Sequence, residues 1–598
     1  MDLLHRYRAA RIMWGAAFVS VFIAAAVPSA GSDAHPADRI FDCATRLPGH
    51  ASDWTSQEQW TWHRICTGHA ADLQTLAPID PPADAHSWPA QRTLSARFIE
   101  MILTDVRLRN AIPYRGVEIR GARFSEIINL TSAHVQVPVT LSHCRFDAAL
   151  KMSQAVVDGQ LSFDGSSLDG DVDMAGIKTS SSVVLDRATA AGLASFISAD
   201  IGGQLSLNGF HIKGPFKAGA ARIAKGFFAS GSTFSDVSLT EARIGGELVI
   251  QKSIIAGSFT LDAVEVDQSG YLNSKTIFKN DVTLSSTHVV GQLDMSTAQI
   301  DGILRTENLT VGRTMFLRGT VINKRASMTY LNVGGNLDLS SGSFATLDLT
   351  GARIGEGLRL GSALPGRAAP RWQGDAQLIL RNASARDIQD LMTCHDPHEW
   401  TSCVDGWPKH FDLVGFSYEN PSVLDANRLS DLSQRPADWW IMWLGRQTTF
   451  NAQTYAQAAR MLSKIDQDDK AVDVLYAGKN RERTTAHGID RVLLTLHQVF
   501  VGYGFRTSYA LWWAIGFIAL GALILKLSGE GRLADPPLGV IYSIDMLLPI
   551  IRLREAHYEI DLHGWARFYF YFHKIMGYVL ASFIVAGIAG LVNGPVGK

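Results

Sequence analysis

Neither sign of charge prevails in this sequence: 55 Lys and Arg stand against 57 Asp and Glu across 598 residues. That balance excludes a basic field that would neutralise nucleic-acid phosphates and an acidic surface that would imitate them, so no nucleic-acid partner is expected. Cofactor motifs are missing too. No Gly-x-Gly-x-x-Gly follows a strand-like run, and no cysteines stand at haem or iron–sulfur spacing; no cofactor is expected. Cysteine itself is scarce, at five residues. Cys43 and Cys66 flank one short segment, Cys394 and Cys403 another, and Cys144 is left over in a strand-like run. The spacing predicts two local disulfides and one buried thiol, which suits an oxidising compartment. His395, Asp396, His398 and Glu399 lie between the second pair and offer zinc-type ligands. A loop of that length closes readily on a disulfide, and no metal is expected.

What the sequence does have is repetition. The motif apolar-Gly-Gly-x-Leu-x-Leu recurs as Ile201 to Leu207, Ile244 to Ile250 and Val333 to Leu339, with looser copies at Val157 to Phe163 and Ile354 to Leu360. An anchor position follows it through Leu161, Val183, Leu205, Phe227, Leu248, Tyr271, Leu293, Met315, Leu337 and Leu358, in steps of 21 to 23 residues. Two residues further on, Phe163, Leu185, Leu207, Ala229, Ile250, Asn273, Met295, Leu317, Leu339 and Leu360 are apolar except for Asn273. Residues i and i+2 of a strand share a face, so both columns point inward. A repeat of this length cannot bury an apolar face alone and must stack on its neighbours. The expected fold is mainly β, a parallel β-helix of about 22 residues per coil over 92–362, with room for about twelve coils and a length on the order of 60 Å.

Between the two inward columns, Val184, Phe228, Val249, Leu272 and Phe316 are expected to form an apolar outer stripe. Such a stripe needs a cover. The chain's own C-terminal region is the first candidate, and another envelope protein the second. Asp169, Asp171 and Asp173 alternate along one run, but a coil later stand Ala191, Leu193 and Ser195. Without an acidic ladder across coils, a glycan-cleaving enzyme is a minor reading.

The flanks read differently. Arg6, Arg8 and Arg11, an apolar stretch from Ile12 to Val27 and small residues at Ser29 to Ser32 make 1–32 a signal peptide or an uncleaved anchor. The Trp-rich segment within 33–91 is expected to cap the solenoid as a helix. After an irregular, disulfide-containing stretch (363–445), 446–506 holds a helical hairpin and an interfacial helix. In the hairpin, Tyr455, Ala458, Ala459 and Leu462 face Ala471, Val474 and Leu475. In the helix, Ile489, Val492, Leu493, Leu496, Val499 and Phe500 form one apolar face. The uncharged runs Ser508 to Leu525 and Ile575 to Val592 make 507–527 and 568–593 read as transmembrane helices, the second with Ala586 and Gly590 spaced for close packing. Between them, 528–567 carries a short apolar, re-entrant segment with Asp545, which is expected to pair with Arg552 or Arg554 at the membrane edge. Val501-Gly502-Tyr503-Gly504 has the letters of a potassium filter but precedes the first span, so it reads as a turn.

Taken together, Tyr455 to Arg483, Val501 to Arg506, Tyr542 to Pro549 and Trp565 make the chain resemble a group of bacterial membrane proteins. These combine pentapeptide-like repeats, a helical hairpin, a Gly-Tyr-Gly turn and two C-terminal spans. Similar proteins are sometimes labelled membrane-associated oxidoreductases, a label for which no motif stands here. The export signal and the two spans together make an inner-membrane protein with its β-helix in the periplasm the expectation. The expected function is a scaffold or protein-interaction module of the cell envelope, with the lipid bilayer and other envelope proteins as partners. The alternative is a transport or sensing device built on the C-terminal membrane region.

Overall fold

A computed structural model describes residues 53–78, 88–362, 364–394, 403–421, 432–506, 508–533, 538–548 and 552–588. The segment 1–32, Cys43, the histidines between Cys394 and Cys403, and Gly590 lie outside them.

The central body is a parallel β-solenoid of about 11 turns with about 22 residues in each. Its strands are only two to four residues long over most of its length and stack into parallel sheets of 25, 12 and 13 strands. Each turn bends through four short strands, as at Val156–Val157, Leu161–Ser162, Ser167–Leu168 and Val172–Asp173. The bends explain the period. Non-glycine or glycine residues with φ near +60° stand at 132, 143, 154, 165, 176, 187, 198, 209, 220 and 231, a spacing of eleven. One such bend runs from Leu185 to Ala188, where the Ala188 N–H donates to Leu185 O at 3.2 Å and Arg187 has φ of 55°. Positive φ at the third residue is the mark of a type II turn closed by this bond. The fundamental unit is therefore an eleven-residue half-turn, used twice per coil.

Stacking satisfies the backbone. The Arg187 N–H, for example, donates to Asn208 O of the next coil at 2.7 Å. The Gly-Gly corners permit that approach: a Cβ placed on Gly246 would sit 1.3 Å from Lys225 O. Inside, side chains of one column pair coil to coil. Leu161, Val183, Leu205, Phe227 and Leu248 follow one another in register, and all are buried. Each buried Leu contributes about 2 kcal/mol by removal of its apolar area from water.

At the next coil the register differs from the sequence expectation. Leu248 pairs with Gly270, not Tyr271, and Tyr271 pairs with Val249 and Asp294. Leu272, at the position expected for Asn273, is fully buried. The step from Leu248 to Gly270 is 22 residues, and the irregularity is absorbed later, where Ser274 and Lys275 both take positive φ.

The solenoid starts later and ends later than expected. Helices α1 (Ser56–Cys66), α2 (Ala96–Thr104) and α3 (Val106–Ala111) precede the first long strand, Val117–Arg120. Glu58 ties this cap together. It completes a capping box with Thr55 on α1 and accepts from the backbone N–H (2.9 Å) and hydroxyl (2.6 Å) of Ser95, the N-cap of α2. At the other end the ladders run past Leu360 through Arg371–Trp372, Gln377–Ile379, Ser384–Asp390, His410–Asp412 and Ser417–Pro421. Much of 363–445 is thus further solenoid, hidden in the sequence because insertions interrupt the repeat.

Helix α4 (Ala437–Gly445) closes that end, with Trp439, Trp440 and Trp443 buried and Trp443 against Trp407 and Phe411 at 5.0 and 5.3 Å between ring centroids. The hairpin follows as α5 (Ala452–Lys464) and α6 (Asp468–Thr485), with Tyr455, Ala458, Ala459, Leu462, Ala471 and Val474 at its buried seam. Then come α7 (Gly488–Val501), a 3-10 turn at Gly502–Gly504, α8 (Ser508–Ser528), α9 (Glu530–Leu533), α10 (Val540–Leu547) and α11 (Gly564–Ile588). Of the helices among the described residues, α8 alone is long and apolar enough to cross a membrane.

Candidate functional site

The outer stripe is only partly as expected. Val184, Phe228 and Phe316 are half-buried on the outside of the solenoid, and Val249 is buried between Phe228 and Tyr271 in the ladder. Leu272 is not part of it: the one-residue difference in register sends its side chain into the core and puts Tyr271 outside. Ser206 and Asp294 interrupt the stripe, and the Arg318 guanidinium lies 4.0 Å from the centre of the Phe316 ring. Among the described residues, the C-terminal helices do not run along it. α5 packs instead on the last strand, where Gln457 Nε2 donates to Tyr418 O at 2.9 Å.

The cysteines behave as a structural set. Cys394 and Cys403 form a disulfide that closes a small antiparallel hairpin. Cys66 is disulfide-bonded as well, and Cys43, its expected partner, lies outside the described residues. Cys144 is a free, buried thiol, and burial pushes its pKa up to about 12. A thiol held protonated in this way is a poor nucleophile and a poor metal ligand.

The densest polar grouping in an apolar setting lies where α10 packs between α8 and α11. Asp545 is fully buried there. Its carboxylate accepts from the backbone N–H groups of Leu553 (2.9 Å) and Arg554 (3.0 Å), and His557 Nδ1 lies 2.9 Å from Oδ2. The Tyr558 hydroxyl donates to Asp545 O at 2.9 Å. A carboxylate can only accept, so Nδ1 of His557 carries the proton. The expected partners are therefore corrected. Neither the Arg552 nor the Arg554 guanidinium pairs with Asp545; both side chains are exposed, and Arg552 lies over the Tyr558 ring at 5.1 Å. The connection after α10 folds back so that its backbone, not its charges, meets the carboxylate.

A second buried group sits deeper. His573 Nε2 lies 3.0 Å from Ser543 O and 3.4 Å from Ser543 Oγ, while Tyr569 Oη lies 3.1 Å from Nδ1. Ser543 Oγ donates to Ile518 O at 3.0 Å. A serine–histidine pair of this kind invites a nucleophilic reading. The geometry argues otherwise. Nε2 donates to the Ser543 carbonyl, which leaves it no lone pair to take the serine proton, and both residues are fully buried. The group satisfies polar atoms where three helices meet. Glycines make the meeting close: a Cβ on Gly521 would lie 2.2 Å from Ser543 Oγ, and one on Gly577 would lie 1.8 Å from Leu547 O.

Sequence reasoning found Asp545 but missed His557, Ser543, Tyr558, Tyr569 and His573. Asp545 and His557 are twelve apart across a loop, and Ser543 and His573 thirty apart on different helices, so no helical or strand period links them. The only signal was the presence of His573 inside an otherwise apolar run.

No protein-family model, no curated protein and no solved structure matches this chain. The functional reading therefore rests on its own residues.

Proposed function

We propose that the protein is a membrane-anchored scaffold of the bacterial envelope, held in the inner membrane by α8 and by the expected second span at 568–593, with the solenoid on the periplasmic side as an interaction module for other envelope proteins. The observation that carries this reading is the concentration of exposed apolar side chains on three C-terminal helices, α7, α8 and α11. Ile489, Val492, Leu493, Leu496 and Val499 are exposed on α7; Leu511, Trp512, Ile515, Leu520 and Leu523 on α8; and Phe568, Phe572, Ile575 and Val585 on α11. A monomer in water does not leave so much contiguous apolar surface uncovered, whereas a bilayer covers it. The resemblance to bacterial membrane proteins with pentapeptide-like repeats agrees with this reading.

Export of the solenoid orients α8 inward and puts the α8–α11 connection on the cytoplasmic side, where Lys526, Arg532, Arg552, Arg554, Arg567 and Lys574 accord with the positive-inside tendency. A reporter fused after Gly531 should then be active only in the cytoplasm, and resistance of the protein to carbonate extraction tests the anchor. Periplasmic reporter activity, or release by carbonate, refutes the reading. Photocrosslinking from Phe228 tests the interaction surface, with a discrete adduct to another envelope protein expected.

The buried Asp545–His557 pair favours a second reading, a transport or sensing device in the helical region. Asp545→Asn with every phenotype intact would count against it.

A further inference from the structure

We propose that the cavity between α10, the 552–563 connection and the start of α11 binds a phosphate group. The cavity is small, about 140 Å³, and its polar lining comes from Tyr542, His557, Tyr558, Arg567, Tyr571 and Lys574. Arg567, Tyr571 and Lys574 stand at i, i+4 and i+7 on α11 and so share one face of the helix. Two cations converge on one ring opposite them: Lys574 Nζ lies 5.4 Å, and the Arg552 guanidinium 5.1 Å, from the centre of Tyr558.

The buried wall of the cavity is held in place by a hydrogen bond. His557 is almost fully buried, and Asp545 holds its Nδ1 at 2.9 Å. With Nδ1 engaged in this way, His557 forms a fixed wall of the cavity and is not counted among its donors. Asp545 does not itself line the cavity, and its oxygens accept from His557 and from the Leu553 and Arg554 N–H groups. The carboxylate on the lining, Asp561, is exposed and lies 3.7 Å from Arg567. A contact that long and that wet is displaced at little cost. The cavity thus presents two cations, Arg567 and Lys574, and the Tyr571 hydroxyl beside them, which suits the several acceptor oxygens of a phosphate better than a single planar carboxylate.

Two sources supply that chemistry, an anionic lipid headgroup and free phosphate. The lipid source rests on the membrane reading above, under which the polar ends of α10 and α11 lie at headgroup depth. The test uses the full chain purified in a non-ionic detergent, with thermal unfolding and titration calorimetry against three probes: dihexanoyl-phosphatidylglycerol, inorganic phosphate and dihexanoylglycerol. Phosphatidylglycerol is expected to bind and to raise the melting temperature, while dihexanoylglycerol, which lacks the phosphate, is not. Lys574→Gln and Arg567→Gln are each expected to weaken binding about tenfold, and Lys526→Gln, at the end of α8, is expected to leave it unchanged.

Binding of phosphatidylglycerol but not of inorganic phosphate assigns the site to lipid, and binding of both with the same dependence on Lys574 assigns it to phosphate in general. Equal effects of dihexanoylglycerol and phosphatidylglycerol, or wild-type affinity in both α11 variants, would overturn the proposal. Both side chains are exposed, so the variants should melt as the wild type does without ligand; if one does not, the other decides. Carbonate extraction of the same cells separates the two readings. A carbonate-resistant protein that binds no phosphate retains the anchor and loses the site, and a carbonate-released one whose phosphate binding depends on Lys574 retains the site and loses the anchor.

Discussion

Arg435 and Asp390 form a fully buried ion pair that fastens the entrance of α4 to one of the last rungs of the solenoid. Arg435 Nη1 donates to Asp390 Oδ2 at 3.1 Å, Nη2 donates to Oδ1, and the guanidinium lies 4.2 Å from the centre of the Trp439 ring. Two parallel N–H···O bonds fix both orientation and distance. The pair closes the end of the stack where an unprotected core would otherwise meet water.

Removing one partner leaves the other charged in a site without solvent. Asp390→Ala should therefore cost about 3–5 kcal/mol, and the double replacement Asp390→Leu with Arg435→Met should cost less than either single change. Thermal unfolding of the four proteins checks this. Equal losses in the single and double variants would mean that the pair contributes nothing beyond its volume.

Register supplies a sharper test. Leu272 is in the core and Tyr271 outside it, so Leu272→Asp should destabilise the solenoid by more than about 3 kcal/mol, while Tyr271→Asp should cost less than about 1. Hydrogen exchange in the neighbouring coils reads the difference locally. The opposite ranking would restore the register in which Tyr271 points inward.

That coil also marks how far the sequence could be read. The columns from Leu161 to Leu248 are legible because a two-residue alternation repeated coil after coil has one physical solution, an inward face. Tyr271 and Leu272 are both apolar, and only the pairing of Gly270 with Leu248 decides between them; a glycine carries no hydropathy signal. The eleven-residue half-turn escaped notice because its marker is a backbone angle, occupied by Ser132, His143, Gln154 and Gly165 alike. The last rungs were hidden by insertions, and the partners of Asp545 by a loop whose backbone N–H groups have no side-chain signature.

Acid should weaken the N-terminal cap and one of the later rungs of the solenoid. Burial pushes the Glu58 carboxyl up, but hydrogen bonds from Ser95 and Thr55 outweigh it and hold the group below its ordinary value. At Asp348, burial is likewise outweighed by Thr350 and Arg325. A carboxyl whose folded pKa lies below the unfolded value contributes its full stability above about pH 4 and loses it as pH falls through the folded value. The melting temperature should accordingly drop between pH 4 and pH 2, and Glu58→Gln should show a smaller drop from a lower starting point. A wild-type curve flat across that interval would contradict the assignment.

Finally, the exposed face of α7 should lie in the bilayer surface. Leu496 and Arg491 are on different sides of this helix, Leu496 with the apolar row of Val492, Leu493 and Val499, and Arg491 away from it. Single cysteines at the two positions give a direct reading, because the native cysteines stay silent. Cys144 is buried, with its pKa pushed up to about 12, and Cys66, Cys394 and Cys403 are in disulfides; Cys43 is replaced by Ser together with Cys66 as a control background. In intact membranes a water-soluble maleimide should label Arg491→Cys at least about tenfold faster than Leu496→Cys, since a thiol in an apolar layer meets neither the reagent nor the water that stabilises its thiolate. Detergent should bring the two rates together by the same logic, because it replaces an immobile lipid surface with an exchanging one. Equal rates in membranes would place α7 in water and leave its apolar row for a protein partner.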